Sequence, residues 1–215
     1  MESFKKLGLS DKLLKSIEES KFVEPTEIQE KTIPLVMGGK DVIAQSATGS
    51  GKTLAFGSGI IEKANKGKGV QGLVLTPTRE LAEQVGQALR RFSKHFGINV
   101  TEVYGGVSIN PQIYNIARAE IIVGTPGRIL DHLRQGTLNL KNVKTLVLDE
   151  ADRMLDMGFI EDITTIISQC PKERQTLLFS DTIGQDIEHI GRRYMKHPQV
   201  ISAESYVDPS KLTQI

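Results

Sequence analysis

The segment that decides the fold reads VIAQSATGSGKT and occupies residues 42–53. It begins with a short apolar, β-rich run, and the polar part that follows contains Gly49 and Gly51. Glycines let the backbone turn tightly enough for successive N–H groups to point at one anion, and a helix that starts near Gly51 adds the positive end of its dipole. The sequence therefore predicts a strand, a phosphate-binding loop and a helix in succession. The alternative is a glycine-rich turn with a lysine in solvent.

Two side chains at the end of this loop match the needs of a nucleoside triphosphate. Lys52 is expected to reach the β and γ phosphates as a point charge, and Thr53 to place its hydroxyl on Mg²⁺. The usual pattern has glycine at the first position, where this chain has Ser46. The candidate ATP-binding residues of the loop are Ser46, Ala47, Thr48, Gly49, Ser50, Gly51, Lys52 and Thr53.

Short apolar runs recur along the chain, and stretches long enough for a helix separate most of them. Continuous apolar strands joined by helices are typical of an α/β fold with a mostly parallel, twisted sheet and helices on both faces. The apolar runs are 42–44, 73–75, 100–104, 121–123, 146–148, 177–179 and 200–201. Apolar residues at helical spacing are Leu13, Leu14 and Ile17, then Leu81, Val85, Leu89 and Phe92, and later Ile163, Ile166 and Ile167.

The distinctive polar segments come directly after the apolar runs. Because the carboxyl ends of parallel strands form one edge of a sheet, where ligands bind, these segments are expected to converge on one site. They read QSATGSGKT (45–53), TPTRELA (76–82), GTPGR (124–128), DEAD (149–152) and SDT (180–182).

Length and composition favour one globular domain. The chain has 215 residues, 39% hydrophobic and 25% charged, which fits a single α/β domain better than two small ones or a disordered chain. No apolar run approaches the ~20 residues of a membrane helix, no secretory signal is visible, and the single cysteine, Cys170, excludes a disulfide framework. We therefore predict a cytoplasmic protein without a membrane partner. The net charge of +1 does not by itself indicate a nucleic-acid partner.

An acidic cluster follows the apolar run that ends at Leu148. A carboxylate at a strand terminus beside the phosphate loop is the group that holds Mg²⁺, and Asp149 fits that role. Glu150 is placed to orient and deprotonate the attacking water. The alternative is an acidic helix N-terminus, where such residues are favourable in any case.

Taken in order, these motifs are similar to those of the DEAD-box RNA helicases of helicase superfamily 2. The resemblance covers the whole chain and implies the first RecA-like motor domain of such a helicase, with ATP and Mg²⁺ as cofactors and RNA, single-stranded or duplex, bound without sequence preference. The matching segments are Phe4 with FVEPTEIQ (22–29), ATGSGKT (47–53), PTRELA (77–82), Gly105-Gly106, TPGR (125–128), DEAD (149–152) and FSDT (179–182).

The resemblance assigns the adenine base to the segment 4–29. Gln29 would bond the adenine edge with its side-chain amide, Thr26 would support that loop, and Phe4 would pack on the base. An amide carries both a donor and an acceptor, so the pairing is chemically sensible. Phe22 and Ile28 are as well explained as core residues.

The resemblance assigns RNA to three further segments. Their glycines and prolines let backbone N–H groups approach a phosphodiester, and Arg79 and Arg128 carry forked donors for phosphate. The alternative for either arginine alone is a solvated surface charge or a helix cap, and the alternative for Glu80 is a structural pair with an arginine rather than contact with a ligand. The implied RNA-binding residues are Pro77, Thr78, Arg79, Gly105, Gly106, Thr125, Pro126, Gly127 and Arg128.

The resemblance implies that a last segment couples ATP hydrolysis to RNA unwinding. In that segment Ser180 and Thr182 would bond to Asp152, the final acid of DEAD. Here Asp181 stands where the family has alanine. We expect it to weaken this coupling while ATP binding is retained, or else to face solvent.

The resemblance also implies the domain organisation. Residues 1–206 would form the ATP-binding domain, 207–215 would begin an interdomain linker, and a second helicase domain that completes the site is not in the chain. Other hypotheses are an ATP-gated RNA clamp or chaperone with little turnover, a DNA-directed helicase of the same superfamily, and a metabolic P-loop kinase, which would leave TPGR and PTRELA unexplained.

Overall fold

The computed structural model describes residues 1–203, so the predicted linker at 207–215 lies outside the described residues. Within this part the chain forms one sheet of seven strands. The strands are β1 (Val42–Gln45), β2 (Gly72–Leu75), β3 (Val100–Val103), β4 (Ile121–Gly124), β5 (Thr145–Leu148), β6 (Gln175–Ser180) and β7 (Gln199–Ser202).

The sheet is parallel throughout, with strand order β3-β4-β2-β5-β6-β1-β7. Successive side chains of a strand point to opposite faces, and both faces are buried here. Leu177 and Phe179 of β6 pack in one hydrophobic cluster, and Leu178 packs in the other. This two-sided burial is why the strands read as continuous apolar runs.

Helices cover both faces of the sheet. The first five contribute their buried side chains to the cluster around Phe179, and the last five to the cluster around Leu178. They are α1 (Glu2–Lys5), α2 (Asp11–Glu19), α3 (Glu27–Met37), α4 (Lys52–Lys63), α5 (Arg79–Phe92), α6 (Asn110–Ile116), α7 (Pro126–Arg134), α8 (Ala151–Asp156), α9 (Ile160–Gln169) and α10 (Gln185–Tyr194).

The predicted fold class is confirmed. Each predicted apolar run overlaps a strand, and the predicted helical faces of α2, α5 and α9 are buried except at Leu81, which is half-buried. Because all strands are parallel, the polar segments that follow β1, β2, β4, β5 and β6 lie along one rim of the sheet. Among residues 1–203, no helix has the length and apolar character to span a membrane.

Candidate active site

The loop after β1 has the backbone geometry expected of a phosphate loop. Gly49 and Gly51 adopt φ values of +83° and +89°, which glycine reaches without steric cost. A Cβ at position 51 would lie 2.5 Å from Nε2 of Gln29, so this turn has no room for a side chain. Helix α4 begins at the next residue, Lys52.

Three charged side chains meet at this loop. Nζ of Lys52 lies 3.0 Å from Oδ1 of Asp149 and 3.7 Å from Oε1 of Glu150. Strands β1 and β5 both pair with β6, so the sheet brings the loop and the acidic segment together from positions about 100 residues apart. The side chains of Lys52 and Asp149 are 6% and 0% exposed.

The buried Lys52 and Asp149 side chains lack hydrogen bonds within the described residues. Burial raises the pKa of the Asp149 carboxyl, although the Lys52 ammonium opposes the shift. Within residues 1–203 neither Asp149 oxygen nor the Lys52 ammonium has a hydrogen-bond partner of good geometry, despite their close approach. Buried polar groups are normally bonded. Orphaned groups of both signs fit a ligand that itself carries phosphate oxygens and a cation.

The donor set fits Mg²⁺ held together with phosphates. No group of three or more His, Cys, Asp or Glu able to hold a metal occurs in the described part of the chain. Mg²⁺ does not need one, because it is usually bound by one or two carboxylates together with substrate phosphates and water. Asp149 and Thr53, which line the same cavity, supply one carboxylate and one hydroxyl.

Glu150 is held in a strained backbone conformation. Its φ and ψ are both 51°, a left-handed region that costs a non-glycine residue about 1–3 kcal/mol. The turn directs its carboxylate to the loop, where Oε1 accepts from the Thr48 hydroxyl at 3.4 Å and Oε2 lies 3.4 Å from Arg153. Strain of this kind concentrates at functional sites.

The predicted adenine residues brace the phosphate loop. The Thr26 hydroxyl donates to the Ser50 carbonyl at 2.8 Å, and Nε2 of Gln29 donates to the Gly51 carbonyl at 2.9 Å. Oε1 of Gln29 accepts from the Thr26 N–H at 3.0 Å. Gln29 is fully buried. Both groups of its side-chain amide are therefore bonded within the protein in this conformation, although Gln29 also lines the cavity beside the loop.

Phe22 lies beside the phosphate loop, and Phe4 does not. A cavity of about 420 Å³ joins the phosphate loop to α5, and Phe22 lines it with Val85 and Phe92. The ring centroids of Phe22 and Phe92 are 6.0 Å apart. Phe4 is fully buried in the hydrophobic core and does not line this cavity, so it has no free face for a base. This placement does not support the expected packing of Phe4 on adenine.

The segment PTRELA forms the start of α5. The Thr78 hydroxyl caps the helix by accepting from the Leu81 N–H at 3.3 Å, and Pro77 is buried. Arg79 is 47% exposed, lies 4.9 Å from the ring centroid of Tyr104, and pairs with Glu83 at 3.1 Å. Arg79 is therefore open to solvent, and Glu83, not Glu80, is its structural partner.

The TPGR segment starts α7 and braces the neighbouring glycine loop. Thr125 is the N-cap residue of this helix, Pro126 is its buried first residue, and Gly127 is half-buried. Both terminal nitrogens of Arg128 donate to the Val107 carbonyl at 3.1 Å, and its side chain is only 13% exposed. In this conformation the guanidinium holds the loop after Gly105 and Gly106 instead of standing free, which differs from the expectation that it donates to a phosphate. Both glycines are exposed.

His132, on the same helix as Arg128, belongs to a buried hydrogen-bond network. Its Nε2 lies 3.0 Å from Oε1 of Gln112, and its Nδ1 lies 2.8 Å from the Thr137 hydroxyl. Gln112 donates its amide to the Tyr104 carbonyl, so its Oε1 is an acceptor and His132 carries its proton on Nε2. Arg128 and His132 are four residues apart, which puts them on one face of a helix. This spacing is the feature of the sequence that could have indicated the network.

We expect His132 to make the domain less stable in acid. Burial, and secondly the charge of Arg128, lowers its pKa below 6.5, so its neutral form stabilises the fold above pH 6.5 and that contribution is lost as pH falls toward the folded-state pKa. The free energy of unfolding should fall by up to about 1.4 kcal/mol per pH unit from this group. Urea titrations of wild type and His132→Gln at several pH values measure it. The exposed His189→Gln is the control, and equal pH slopes in all three proteins would contradict the expectation.

The three predicted coupling residues are bonded to one another. The N–H and the hydroxyl of Thr182 both donate to Oδ2 of Asp152 at 3.1 Å, and the Asp152 N–H donates to the Ser180 hydroxyl at 3.2 Å. Asp181 is exposed, and its carbonyl accepts from Nε2 of Gln45 at 3.0 Å. These bonds therefore form with an aspartate at position 181.

Comparison with known proteins points to one family. The family model described as DEAD/DEAH box helicase matches residues 26–190. The chain is 51% identical over 207 residues to the DEAD-box ATP-dependent RNA helicase CshA of Bacillus cereus and 52% identical over 203 residues to the ATP-dependent RNA helicase CshA of Listeria monocytogenes. These matches cover 95% and 94% of this chain but only 39% of each relative.

Solved structures agree with the family model. A DEAD box protein from the hyperthermophile Methanococcus jannaschii superposes with a TM-score of 0.91 at 45% identity, over 94% of this chain and 56% of that one. A hypothetical ATP-dependent RNA helicase from Sulfolobus tokodaii superposes with a TM-score of 0.84 at 40% identity, over 91% and 57%.

Proposed function

The chain belongs to the DEAD/DEAH box helicase family, and from this premise we propose that it is an ATP-dependent motor domain that binds Mg²⁺-ATP and the backbone of RNA. The observation that carries the proposal is the buried Lys52–Asp149 ion pair beside the glycine turn, whose polar atoms make no hydrogen bond of good geometry within residues 1–203. A phosphate group beside Lys52 and a cation beside Asp149 would satisfy both.

Each site residue has a defined part in ATP hydrolysis. Lys52 would bind the β and γ phosphates, while Asp149 and the Thr53 hydroxyl would hold Mg²⁺. The bound metal neutralises the charge on the phosphate oxygens. Glu150, which Lys52, Thr48 and Arg153 orient, would accept the proton of the attacking water.

RNA would be held through its phosphates and sugars. The half-exposed Arg79 offers forked donors, and the exposed glycines 105 and 106 offer backbone N–H groups to a closely approaching strand. Such contacts carry little sequence information, so we propose RNA binding without sequence preference. We further propose that a second helicase domain completes the site and that the protein works in the cytoplasm.

The test is ATP hydrolysis by the protein joined to its second domain. We expect single-stranded RNA to stimulate phosphate release, a matched DNA strand without 2′-hydroxyls not to do so, and the 215-residue chain alone to hydrolyse ATP weakly without unwinding duplexes. Equal stimulation by DNA would indicate a DNA-directed helicase. RNA binding that ATP tightens without added phosphate release would indicate a clamp, and failure to bind ATP would refute the proposal.

Reverting Asp181 to alanine is expected to raise the number of duplexes unwound per ATP hydrolysed while ATP affinity stays unchanged. The reason is that the reversion removes a carboxylate next to the bonds between Asp152 and Thr182. Because Asp181 is exposed and its charge is screened, the change should not exceed about fivefold, or ~1 kcal/mol. Unwinding and ATPase assays on the same samples measure it. Asp181→Asn should behave like alanine, and an unchanged ratio in both variants would dispose of the hypothesis.

A further inference from the structure

The amino ends of the strands form a second rim, which the proposed motor chemistry does not use. Two adjoining cavities of about 550 and 600 Å³ lie there, beside the residues that precede or begin β1, β2, β5, β6 and β7. They share Lys144 and Glu173, so together they form one continuous depression. We call it the basic trough, after the six lysines that line it: Lys40, Lys63, Lys68, Lys141, Lys144 and Lys196.

The trough concentrates positive charge in a chain that is almost neutral. Seven lysines and arginines line the two cavities against two carboxylates, although the chain has a net charge of only +1. One of those carboxylates, Asp41, is already bonded to the N–H groups of Thr176 and Lys196 at 2.8 and 2.6 Å. The other, Glu173, pairs with the Lys196 ammonium at 2.7 Å.

The remaining cations have no carboxylate partner within residues 1–203. Arg174 donates only to neutral oxygens, those of Thr176, Pro171 and Tyr194. Nζ of Lys144 donates to the Lys63 carbonyl at 3.1 Å, and Lys63 itself bonds the Gln175 amide. Uncompensated cations around a concave surface attract an anion strongly.

Lys63, which lines the trough, is a cation that is partly removed from water. Burial lowers its pKa because the ammonium is partly removed from water, and only the distant charge of Asp41 opposes this. A half-buried cation without a carboxylate partner within residues 1–203 costs free energy that an incoming anion would recover.

We propose that the basic trough is a second RNA-binding surface, which holds the phosphodiester backbone of an RNA segment on the side of the domain opposite the ATP site. Lysines are point charges that bind phosphates without geometric selectivity, and the described lining residues of the cavities include no phenylalanine, tyrosine or tryptophan on which a base could stack, although the imidazole of His197 lies there. Lysines distributed over two adjoining cavities suit a chain of phosphates better than a single small anion. The inference goes beyond the motor function and does not require the nucleotide site.

The test measures binding of a fluorescein-labelled oligouridine to the 215-residue chain without nucleotide. Lys141→Gln with Lys144→Gln is expected to weaken binding about tenfold and to reduce the slope of log affinity against log salt by about 1.4, the value for two phosphate contacts on a single strand. The matched control is Lys12→Gln with Lys15→Gln, two exposed lysines of α2 that remove the same net charge. It should change affinity less than twofold.

Thermal melts show whether the trough variants fold. If the variant with Lys141→Gln and Lys144→Gln does not fold, the variant with Lys40→Gln and Lys68→Gln replaces it. Lys52→Met should lose ATP binding yet keep the effect of the trough substitutions, which separates this proposal from the motor function. Equal effects in trough and control pairs, or an unchanged salt slope, would overturn it. So would oligoglutamate binding with the same lysine dependence, or complete displacement of the RNA by inorganic phosphate.

Discussion

Lys52→Met is expected to reduce ATP affinity about 100-fold or more. Charge-assisted hydrogen bonds contribute about 1.5–3 kcal/mol each, and Lys52 would make such bonds to two phosphates, so their loss corresponds to ~3 kcal/mol or more. Methionine keeps the apolar stem in a site where the lysine side chain is only 6% exposed. Titration with a fluorescent ATP analogue, with and without Mg²⁺, measures the loss.

The substitution should not unfold the domain. The Lys52 ammonium lowers the pKa of the Asp149 carboxyl, so its removal lets the pKa rise further and the buried acid takes up a proton. Lys31→Met, which removes an exposed lysine from α3, is the control and should bind ATP normally. If Lys52→Met melts like wild type and still binds ATP within threefold, the placement of the triphosphate is wrong.

Glu150→Gln is expected to separate ATP binding from ATP hydrolysis. The amide keeps the shape of the side chain and can still contact Thr48, but it cannot accept a proton from water. General-base catalysis contributes about 10²–10⁴-fold, so RNA-stimulated phosphate release by the two-domain protein should fall by that factor. ATP affinity should change less than about threefold, because the Lys52–Asp149 pair remains.

The control is Glu161→Gln, which changes an exposed carboxylate in the first turn of α9. Phosphate release and ATP titration on the same preparations give both quantities. Retention of more than a tenth of the wild-type turnover in Glu150→Gln would assign the base to another residue. A parallel loss of ATP affinity would instead give Glu150 a role in binding.

The sequence alone was sufficient for the fold class and for the rim of the sheet along which the polar segments lie. Apolar runs such as Leu146-Val147-Leu148 are local patterns that a parallel sheet buried on both faces requires, and the turn at Gly49 to Gly51 is a local backbone demand. The meeting of Lys52 with Asp149 also followed, because parallel strands place their carboxyl ends on one edge.

The sequence could not show which side chains would make contacts inside the folded protein and which would stay open to a ligand. Phe4 and Phe22 are both phenylalanines, yet the ring of Phe4 is buried in the core and the ring of Phe22 lines the cavity beside the loop. Arg79 and Arg128 both follow strand ends, but only Arg128 is taken up by a carbonyl of a neighbouring loop. Such outcomes depend on which element packs next to a side chain.

Local patterns and strand direction can be read from the residues, and they were enough to predict the parallel sheet, the glycine-rich loop after β1 and the acidic segment beside it. The strained conformation of Glu150, the buried network of His132 and the basic trough arise from packing between elements that are distant in the chain, so they became visible in three dimensions. The trough lysines are spread from position 40 to position 196 in a chain of net charge +1. The density of charge on a surface depends on how close the charged side chains lie to one another in space. The net charge of the chain does not contain that information.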